Sequence, residues 1–350
     1  MKWIRYIALY GLTMAGCFFL IDLYLHYAEI IIPKVEVDPK IGEVYLPNTE
    51  AAEFFEGYYM GKINEYRYLG EVSHIRTQPD EIMIGMLGDS YVAGMELFER
   101  HHFKTVMEAQ LNTVAKRKFR FTNFGKDGVN FIGIYNYYRQ YASQYDMDYY
   151  LFFFNWENFW DDEREFTPQY ELVDGELVMT THFTETEAYK MYDRLRPLTK
   201  SSLVFLAYKC RAIVRNGLAG KVIFGKFYPS PPPDTRDPVE KRKEEQYRYE
   251  LTETKRKILS ELAKNEKVII VIEDKIPDEI DQVIREFGFR TIYLDGVIED
   301  LKAQGLDPYF WKVTGKKGHW NAPTHRVMGK YMAEKLREIL ENENTTTNHK

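Results

Sequence analysis

The chain has 350 residues, of which 53 are acidic and 47 are Lys or Arg, giving a formal net charge of −6. This balance argues against a nucleic-acid partner, because phosphate binding needs a concentrated basic face. The two cysteines, Cys17 and Cys210, supply neither a metal cluster nor a disulfide framework. We therefore expect a globular protein that uses no metal and no cofactor.

The N-terminus reads as a membrane anchor. Lys2 and Arg5 come first, and the sequence then runs apolar to about Ile32, with Asp22 as the one charged side chain between Tyr6 and Tyr27. About 20 apolar residues suffice to cross a bilayer, and a basic end stays in the cytoplasm. Residues 1–32 are therefore predicted to hold the rest of the chain outside the cytoplasm.

Two other interpretations of this segment stay open. Ala15-Gly16-Cys17 resembles a bacterial lipoprotein cleavage box, so lipid attachment at Cys17 is the second hypothesis. A buried helix of a soluble protein is the third. A cleaved signal peptide is disfavoured, because the apolar run is long and has no small-x-small exit.

Residues 33–80 look like an extended lead-in, since Pro33, Pro39, Pro47 and Pro79 interrupt any long periodic run. From residue 81 to 341, short apolar runs alternate with amphipathic ones. The predicted strands are EIMIGMLG, KFRFTNFG, DYYLFFFN, KVIIVIED and FRTIYLDG; the predicted helices include FKTVMEAQLNTVAK, FIGIYNYYRQYASQY, EKRKEEQYRYELTETKRKILSELAKN, PDEIDQVIREFG and THRVMGKYMAEKLREILENE. This alternation is typical of βαβ units and a three-layer, doubly wound parallel sheet.

The rhythm breaks at about 161–240, where an insertion is predicted with a helix in LRPLTKSSLVFLAYKCRAIV and a stiff loop in YPSPPPDTRDP. The polar tail, 342–350, is predicted to be disordered.

Four candidate site residues follow predicted strands or precede the last helix: Ser90, Gly128, Asn158 and His319. In doubly wound sheets, ligands bind beyond the carboxyl ends of the strands. A serine hydroxyl can attack a carbonyl, a histidine can take its proton, and backbone N–H groups with an amide side chain can hold the oxyanion.

These blocks resemble the SGNH/GDSL hydrolase superfamily, whose named residues are Ser, Gly, Asn and His in this order. The similar segments are GDSYVAG, NFGKDG, FFFNWENFWDD and GHWNAPTHRV, and INEYRYLG at 63–70 resembles the segment before the nucleophile in bacterial envelope members. The resemblance covers about 60–340 and implies a flavodoxin-like fold and ester chemistry.

Carried over residue by residue, the resemblance implies that Ser90 is the nucleophile and His319 the general base. The backbone N–H groups of Ser90 and Gly128 and the side chain of Asn158 would form the oxyanion hole. Asn155 competes with Asn158 for the amide role, because sequence fixes strand ends only to within a few residues.

The chain departs from the family where an aspartate normally precedes the histidine by two or three residues, since Lys317 and Lys316 stand there. Three hypotheses follow. His319 works in a dyad oriented by a backbone carbonyl; another acid replaces the aspartate; or the site only binds. The candidate acids are Asp295, Asp300 and, in the same loop, Asp307, for which an Asp-Pro turn is the competing interpretation.

Aromatic residues near the strand ends, Tyr91, Trp156 and Trp320, are predicted to line a substrate cleft, with core packing as the alternative. The function predicted is a membrane-anchored serine ester hydrolase or O-acyltransferase of the bacterial inner membrane, acting on acyl esters of envelope glycans or lipids. The alternative is a catalytically degenerate protein with a binding or assembly role. The GMLGDSYVAG segment has neither P-loop nor dinucleotide-binding spacing, which disfavours nucleotides.

Overall fold

The computed structural model describes residues 2–27, 34–115, 117–160, 166–198, 201–215 and 251–347. The predicted loop at 228–238 and the first half of the predicted charged helix lie outside these residues.

The described strands are β1 Val35–Asp38, β2 Gly42–Tyr45, β3 Thr49–Glu53, β4 Tyr59–Ile63, β5 Ile82–Leu87, β6 Phe119–Asn123, β7 Tyr149–Phe154, β8 Gln169–Val173, β9 Glu176–Thr180, β10 Val268–Ile272, β11 Arg290–Tyr293, β12 Phe310–Trp311 and β13 Lys316–Lys317. The α-helices are α1 Lys2–Tyr27, α2 Ser90–Ala93, α3 Phe103–Val114, α4 Phe131–Gln140, α5 Glu187–Leu195, α6 Ser202–Arg215, α7 Glu253–Ala263, α8 Asp278–Glu286, α9 Asp295–Ala303 and α10 Ala322–Thr347.

The central sheet has five parallel strands in the order β11-β10-β7-β5-β6. Counted along the chain this is the flavodoxin-like order, with the strand order reversing beside β5. Strands β5 and β10 are buried at every position, as their unbroken apolar sequences require. The predicted α/β class, the parallel sheet and all five predicted strands are confirmed.

Helices cover both faces of this sheet and complete three layers. On one face α4, α7 and α8 pack on β7 and β10 through Phe131, Leu259 and Ile284. On the other face α3, α9 and α10 pack through Met107 and Met332 and their neighbours. The amphipathic patterns of these helices therefore match the layers they occupy.

The lead-in is more structured than an extended segment. Strands β1 and β2 form one antiparallel hairpin and β3 and β4 another, with Thr49 opposite Ile63. Tyr45 and Ile63 are almost fully buried. The hairpins belong to the same compact unit as the sheet, which begins at Val35 and runs to Glu185 before resuming with the described residues from 251.

The second compact unit contains α1 and the described residues from Thr186 to Arg215. The Trp3–Leu25 stretch of α1 is long and apolar enough to cross a membrane by length and composition, as an anchor or a signal sequence. Within this unit the Asp22 carboxylate accepts hydrogen bonds from Ser201 Oγ at 2.8 Å and from the backbone N–H of Leu203 at 2.7 Å. The charge near the end of the apolar stretch is thus bonded to the start of α6.

The last helix is longer than its predicted core. Helix α10 continues to Thr347, and the disorder of 342–350 stays a prediction. The last glutamates and asparagines of α10 extend a helix that earlier turns, through Met332 and Leu336, already hold against the sheet.

Candidate active site

Ser90 opens the short helix α2 directly after β5. The Asp89 carboxylate caps this helix by accepting a hydrogen bond from the Tyr91 N–H at 3.0 Å, and Gly94 closes it in the left-handed conformation with φ 65°. This turn presents the Ser90 side chain at the carboxyl edge of the sheet. The local geometry follows from the Gly-Asp-Ser sequence at the strand end.

His319 lies in the loop between β13 and α10 and faces Ser90. Its Nε2 atom is 2.7 Å from Ser90 Oγ. The loop is held in place because Trp311 Nε1 donates to the His319 carbonyl at 3.0 Å and Trp320 packs into the core. The hydroxyl and the imidazole, which are 229 residues apart in the chain, are therefore in hydrogen-bond contact.

Glu56, from the turn between β3 and β4, holds the other side of the imidazole. Glu56 Oε2 is 2.9 Å from His319 Nδ1 and also accepts the backbone N–H of His319 at 2.6 Å. Gly318 makes this approach possible, since a Cβ there would lie 2.0 Å from the Glu56 carboxyl carbon. A carboxylate on Nδ1 fixes the tautomer that leaves Nε2 as the proton acceptor.

A second carboxylate, that of Glu96, faces the same ring nitrogen. Its Oε1 is 3.3 Å from His319 Nδ1, and the residue is 7% exposed. The Glu96 carbonyl accepts the Tyr58 N–H at 2.7 Å, and a Cβ on Gly57 would come within 1.9 Å of that carbonyl. The turn that carries Glu56 is therefore bonded to the segment that carries Glu96.

Burial and the charges of this cluster shift the pKa values of two of its residues, His319 and Glu96. Burial lowers the pKa of His319, but the carboxylates of Glu96 and Glu56 outweigh it and the pKa is raised from its ordinary value. Burial is also the main cause that raises the pKa of Glu96, to about 7. The ligand atoms of Glu56, Glu96 and His319 lie within 4.8 Å of one another, and such groups can also bind zinc. Because His319 Nδ1 and Glu56 Oε2 are at the hydrogen-bond distance of 2.9 Å, we interpret the cluster as an acid–base group.

The candidate acids proposed from sequence lie elsewhere. The Asp307 carboxylate pairs with Lys317 Nζ at 2.5 Å, and this bond lowers the pKa of Asp307. Lys316 Nζ lies 3.6 Å from the centre of the Phe55 ring. The hypothesis that Asp307 partners His319 is therefore corrected: the carboxylate on His319 Nδ1 is that of Glu56, and the Asp307 carboxylate is bonded to Lys317.

Asp295 and Asp300 lie in α9, at the first and sixth residues of that helix, and neither is bonded to His319. The dyad hypothesis, with a backbone carbonyl on Nδ1, is likewise replaced by a carboxylate contact.

Both candidate amides converge on Asp89. Asn155 Nδ2 and Asn158 Nδ2 donate to Asp89 Oδ2 at 2.8 and 2.7 Å. Asn155 Nδ2 also donates to Glu273 Oε2 at 3.0 Å, which uses both of its hydrogens. Asn158 Nδ2 has one acceptor among the described residues, Asp89, so a hydrogen remains for a ligand.

The second block lies beside the nucleophile turn. Lys126 N–H donates to the Gly88 carbonyl at 3.0 Å, which ties the loop after β6 to the end of β5. Gly128 follows in this loop with φ 70°, a conformation that favours glycine. Its oxyanion role and that of the Ser90 N–H stay predictions.

The three predicted cleft residues lie in different surroundings. The Tyr91 ring centre is 4.8 Å from that of His319 and is half-buried, so it borders the site. Trp156 is half-buried and packs edge-on against Trp160 at 4.9 Å. Trp320 is 1% exposed and packs on Phe103. The cleft prediction is therefore wrong for Trp320, because its large apolar surface is used in the core beside His319.

Sequence reasoning missed Glu56, Glu96 and Glu273. Glu56 and His319 are 263 residues apart, and nothing in EFFEGYY distinguishes this glutamate from the other acidic residues. The one available signal was negative: lysines at the expected aspartate positions imply an acid from another segment.

Comparison with known proteins adds little beyond the topology. No family model matches the chain, and no curated protein matches it. Among solved structures, a putative lipolytic protein of the G-D-S-L family from Desulfitobacterium hafniense is similar, at 10% identity and a TM-score of 0.33, over 72% of this chain and 98% of that one.

Two further structures match at similar levels. One is LAE5, an alpha/beta hydrolase enzyme from the metagenome of Lake Arreo, with 14% identity, TM-score 0.36 and coverage of 75% and 97%. The other is a gut microbial diltiazem-metabolizing enzyme, with 9% identity and TM-score 0.36, for which 75% of this chain spans 48% of that chain. These low values leave the sheet order and the site geometry to carry the functional argument.

Proposed function

We propose that the protein is a serine ester hydrolase or O-acyltransferase that works through an acyl-serine intermediate. Ser90 is the nucleophile, His319 the general base and Glu56 the acid that orients the imidazole. One observation carries the proposal: His319 Nε2 is 2.7 Å from Ser90 Oγ while Nδ1 is 2.9 Å from Glu56 Oε2. A nucleophile, a base and a third group that orients the base are the parts that covalent acyl transfer needs.

In the first half-reaction Ser90 Oγ attacks the ester carbonyl carbon while its proton passes to His319 Nε2. The carbonyl electron pair moves to oxygen. Asn158 Nδ2 and the N–H groups of Ser90 and Gly128 stabilise the negative charge on that oxygen by donating hydrogen bonds to it. The tetrahedral species then breaks its bond to the alcohol, which takes the proton from Nε2. The Glu56 carboxylate stabilises the imidazolium.

In the second half-reaction the acyl group leaves Ser90 for water or for a sugar hydroxyl. His319 takes the proton of the incoming hydroxyl and returns it to Ser90 Oγ as the second tetrahedral species breaks. Hydrolase and acyltransferase differ here in the acceptor alone.

Location suggests the substrate class. The apolar helix α1, with Lys2 and Arg5 at its start, supports an uncleaved anchor with the catalytic unit outside a bacterial inner membrane. Acyl esters of envelope glycans or lipids are the esters available at such a surface. Lipid attachment at Cys17, which is exposed in α1, is the other mode of tethering.

The proposal is tested with a fluorophosphonate probe on the full-length protein in detergent. The probe should label wild type at Ser90, and Ser90→Ala should abolish labelling. Ser143→Ala is the matched control, because that exposed hydroxyl donates to the Arg139 carbonyl and has no other hydrogen bond among the described residues, so its loss should leave labelling unchanged. A folded wild-type protein that resists the probe at every pH would favour the binding or assembly role instead.

A further inference from the structure

The strongest unexplained feature of the site is the second carboxylate on His319. Glu56 alone supplies what the proposed mechanism needs. Glu96 Oε1 nevertheless lies 3.3 Å from the same Nδ1 atom, and Glu96 Oε2 is buried without a hydrogen-bond partner among the described residues. A buried carboxylate oxygen without a partner is uncommon and calls for an explanation, of which a catalytic role is one.

The chain holds Glu96 in this position by its backbone and not by chance contact of a long side chain. Gly94 ends α2 in the left-handed conformation and turns the chain toward the β3–β4 turn. The Glu96 carbonyl then accepts the Tyr58 N–H, and Gly57 leaves the space for it. Both acids are therefore fixed relative to the same imidazole.

The surroundings offer this pair no compensating lysine or arginine in the described residues. Lys317 pairs with Asp307, and Lys316 lies over Phe55. Among the described residues, the main charges that act on Glu96 are those of His319, Glu56 and Asp127, and the main charges that act on His319 are those of Glu96, Glu56 and Asp89. Glu96 in turn acts on Tyr45, and His319 on His325. A proton is thus the charge available to offset the second carboxylate.

We propose that Glu96 is a positioning residue of the site that shares a proton with His319, so that the two groups titrate together and set the pH range in which Ser90 is nucleophilic. This inference rests on the proposed function. The shared proton is the one added to a neutral imidazole and an ionised Glu96. When this proton is on Glu96, the imidazole is neutral and Nε2 can accept the Ser90 proton. When it is on Nε2, the imidazole is charged and cannot accept that proton.

The electrostatics agree with this geometry. Burial raises the pKa of Glu96 to about 7, and the Glu96 charge is the largest influence that raises the pKa of His319. As pH rises and Glu96 ionises, its charge makes His319 hold its proton more tightly. Two groups coupled in this way titrate over a broader range than one group does.

The test is the pH dependence of Ser90 labelling by the fluorophosphonate, normalised to each protein's own plateau. Wild type should show an acid limb broader than a single ionisation. Glu96→Gln keeps the shape of the side chain and removes its charge, so its limb should narrow to one ionisation and move to lower pH. At the foot of the wild-type limb the variant should reach a several-fold larger share of its plateau rate.

Asp307→Asn is the control, since Asp307 belongs to the same loop but pairs with Lys317, and its limb should superimpose on that of wild type. A Glu96→Gln limb that also superimposes on wild type would overturn the inference. A change in plateau height without a change in shape would do the same, because a merely structural role lowers the rate equally at all pH values.

A second measurement separates this inference from the hydrolase proposal. The imidazole resonances of His319, assigned with His319→Gln, can be titrated by NMR in wild type and in Glu96→Gln. A broadened wild-type titration that sharpens and moves to lower pH in the variant supports the coupling even if Ser90 proves unreactive. Identical titrations overturn it even if Ser90 is labelled.

Discussion

Two glutamates at opposite ends of β5 show how differently this protein treats a buried carboxylate. Glu81, just before the strand, is 0% exposed, and its carboxylate accepts hydrogen bonds from the N–H and hydroxyl of Thr77 and the N–H of Gln78. Lys118 and Arg120 each lie 3.5 Å away. Glu96, beyond the other end of the strand, is 7% exposed and shares His319 Nδ1 with the Glu56 carboxylate, and one of its oxygens is unpartnered among the described residues.

The pKa values follow these surroundings. Burial raises the pKa of Glu81, but the hydrogen bonds from Thr77 and Gln78 and the charge of Arg120 outweigh it and lower the pKa to about 2. At Glu96, burial outweighs the opposing charge of His319 and raises the pKa to about 7. A fully bonded acid is built for stability, whereas an acid kept short of partners is available for proton exchange.

This contrast predicts that replacing a glutamate by glutamine lowers activity at the site end of the sheet and lowers stability at the Glu81 end. Glu56→Gln should lower kcat/KM for a chromogenic ester by at least about 100-fold, since exchange of the triad acid for its amide costs up to ~10⁴-fold in a related arrangement. The melting temperature should change little. Equal activity in the variant and wild type would show that Glu56 does not orient His319.

The two asparagines sharpen the division within the site. Asn158→Ala should lower kcat by about 100 to 1000-fold, the usual loss for one oxyanion donor, and should cost less stability than Asn155→Ala. Asn155 bonds two buried carboxylates, Asp89 and Glu273, so its loss leaves both short of a donor. The reverse ranking of the two variants in activity would assign the oxyanion role to Asn155.

A substitution at Gly318 should disturb the contact between Glu56 and His319 less than Glu56→Gln does. In Gly318→Ala the new methyl group would overlap the Glu56 carboxylate, so Glu56 must withdraw from His319 and activity should fall by roughly tenfold, by the logic that small misplacements at a site are costly. Gly296→Ala, where nothing lies within 4 Å, should keep full activity. Two variants with the same rate would mean that Glu56 adjusts without consequence.

The smallest effect is expected at the other end of the sheet. The folded-state pKa of Glu81 lies below its ordinary value of 4.5, so its contribution to stability is complete above about pH 4.5 and is lost as pH falls toward 2. Glu81→Gln should therefore lower the melting temperature at pH 7 by about 2–4 °C, with normal ester hydrolysis. The difference from wild type should shrink below pH 4, and a constant difference down to pH 2 would contradict the assignment.

The same contrast explains how far the sequence could be interpreted. The strands of the sheet follow from local signals, because buried parallel strands are continuous apolar runs. The flavodoxin-like strand order and the choice of Ser90 and His319 come from the resemblance to a family. The lead-in hairpins were missed because their short strands alternate weakly, and because Pro39 in the first turn and Pro47 between the hairpins suggested an irregular segment. The acid side was missed because Glu56 and Glu96 reach His319 through tertiary contacts that leave no periodic pattern.

Asp307 illustrates the limit. Its place upstream of His319 in one loop made it the natural candidate, yet Lys317 at 2.5 Å takes its carboxylate. Proximity in sequence favoured the wrong acid because the competing ion pair forms across the β12–β13 hairpin, whose existence the sequence did not indicate. Trp320 failed for a related reason, since its neighbour His319 points to the site while the indole points into the core.

The bond between Asp22 and the start of α6 bears on how the protein can be prepared. Shortened versions of tethered enzymes are commonly made by deleting the apolar leader, and here that deletion would also remove the carboxylate that accepts from Ser201 Oγ and the Leu203 N–H. The first turn of α6 would lose its acceptor, and α6, in which Leu203, Val204 and Phe205 are half-buried, would lose the helix that it contacts. Fragments that lack α1 should therefore aggregate unless α6 is also removed or its apolar side chains are replaced by polar ones.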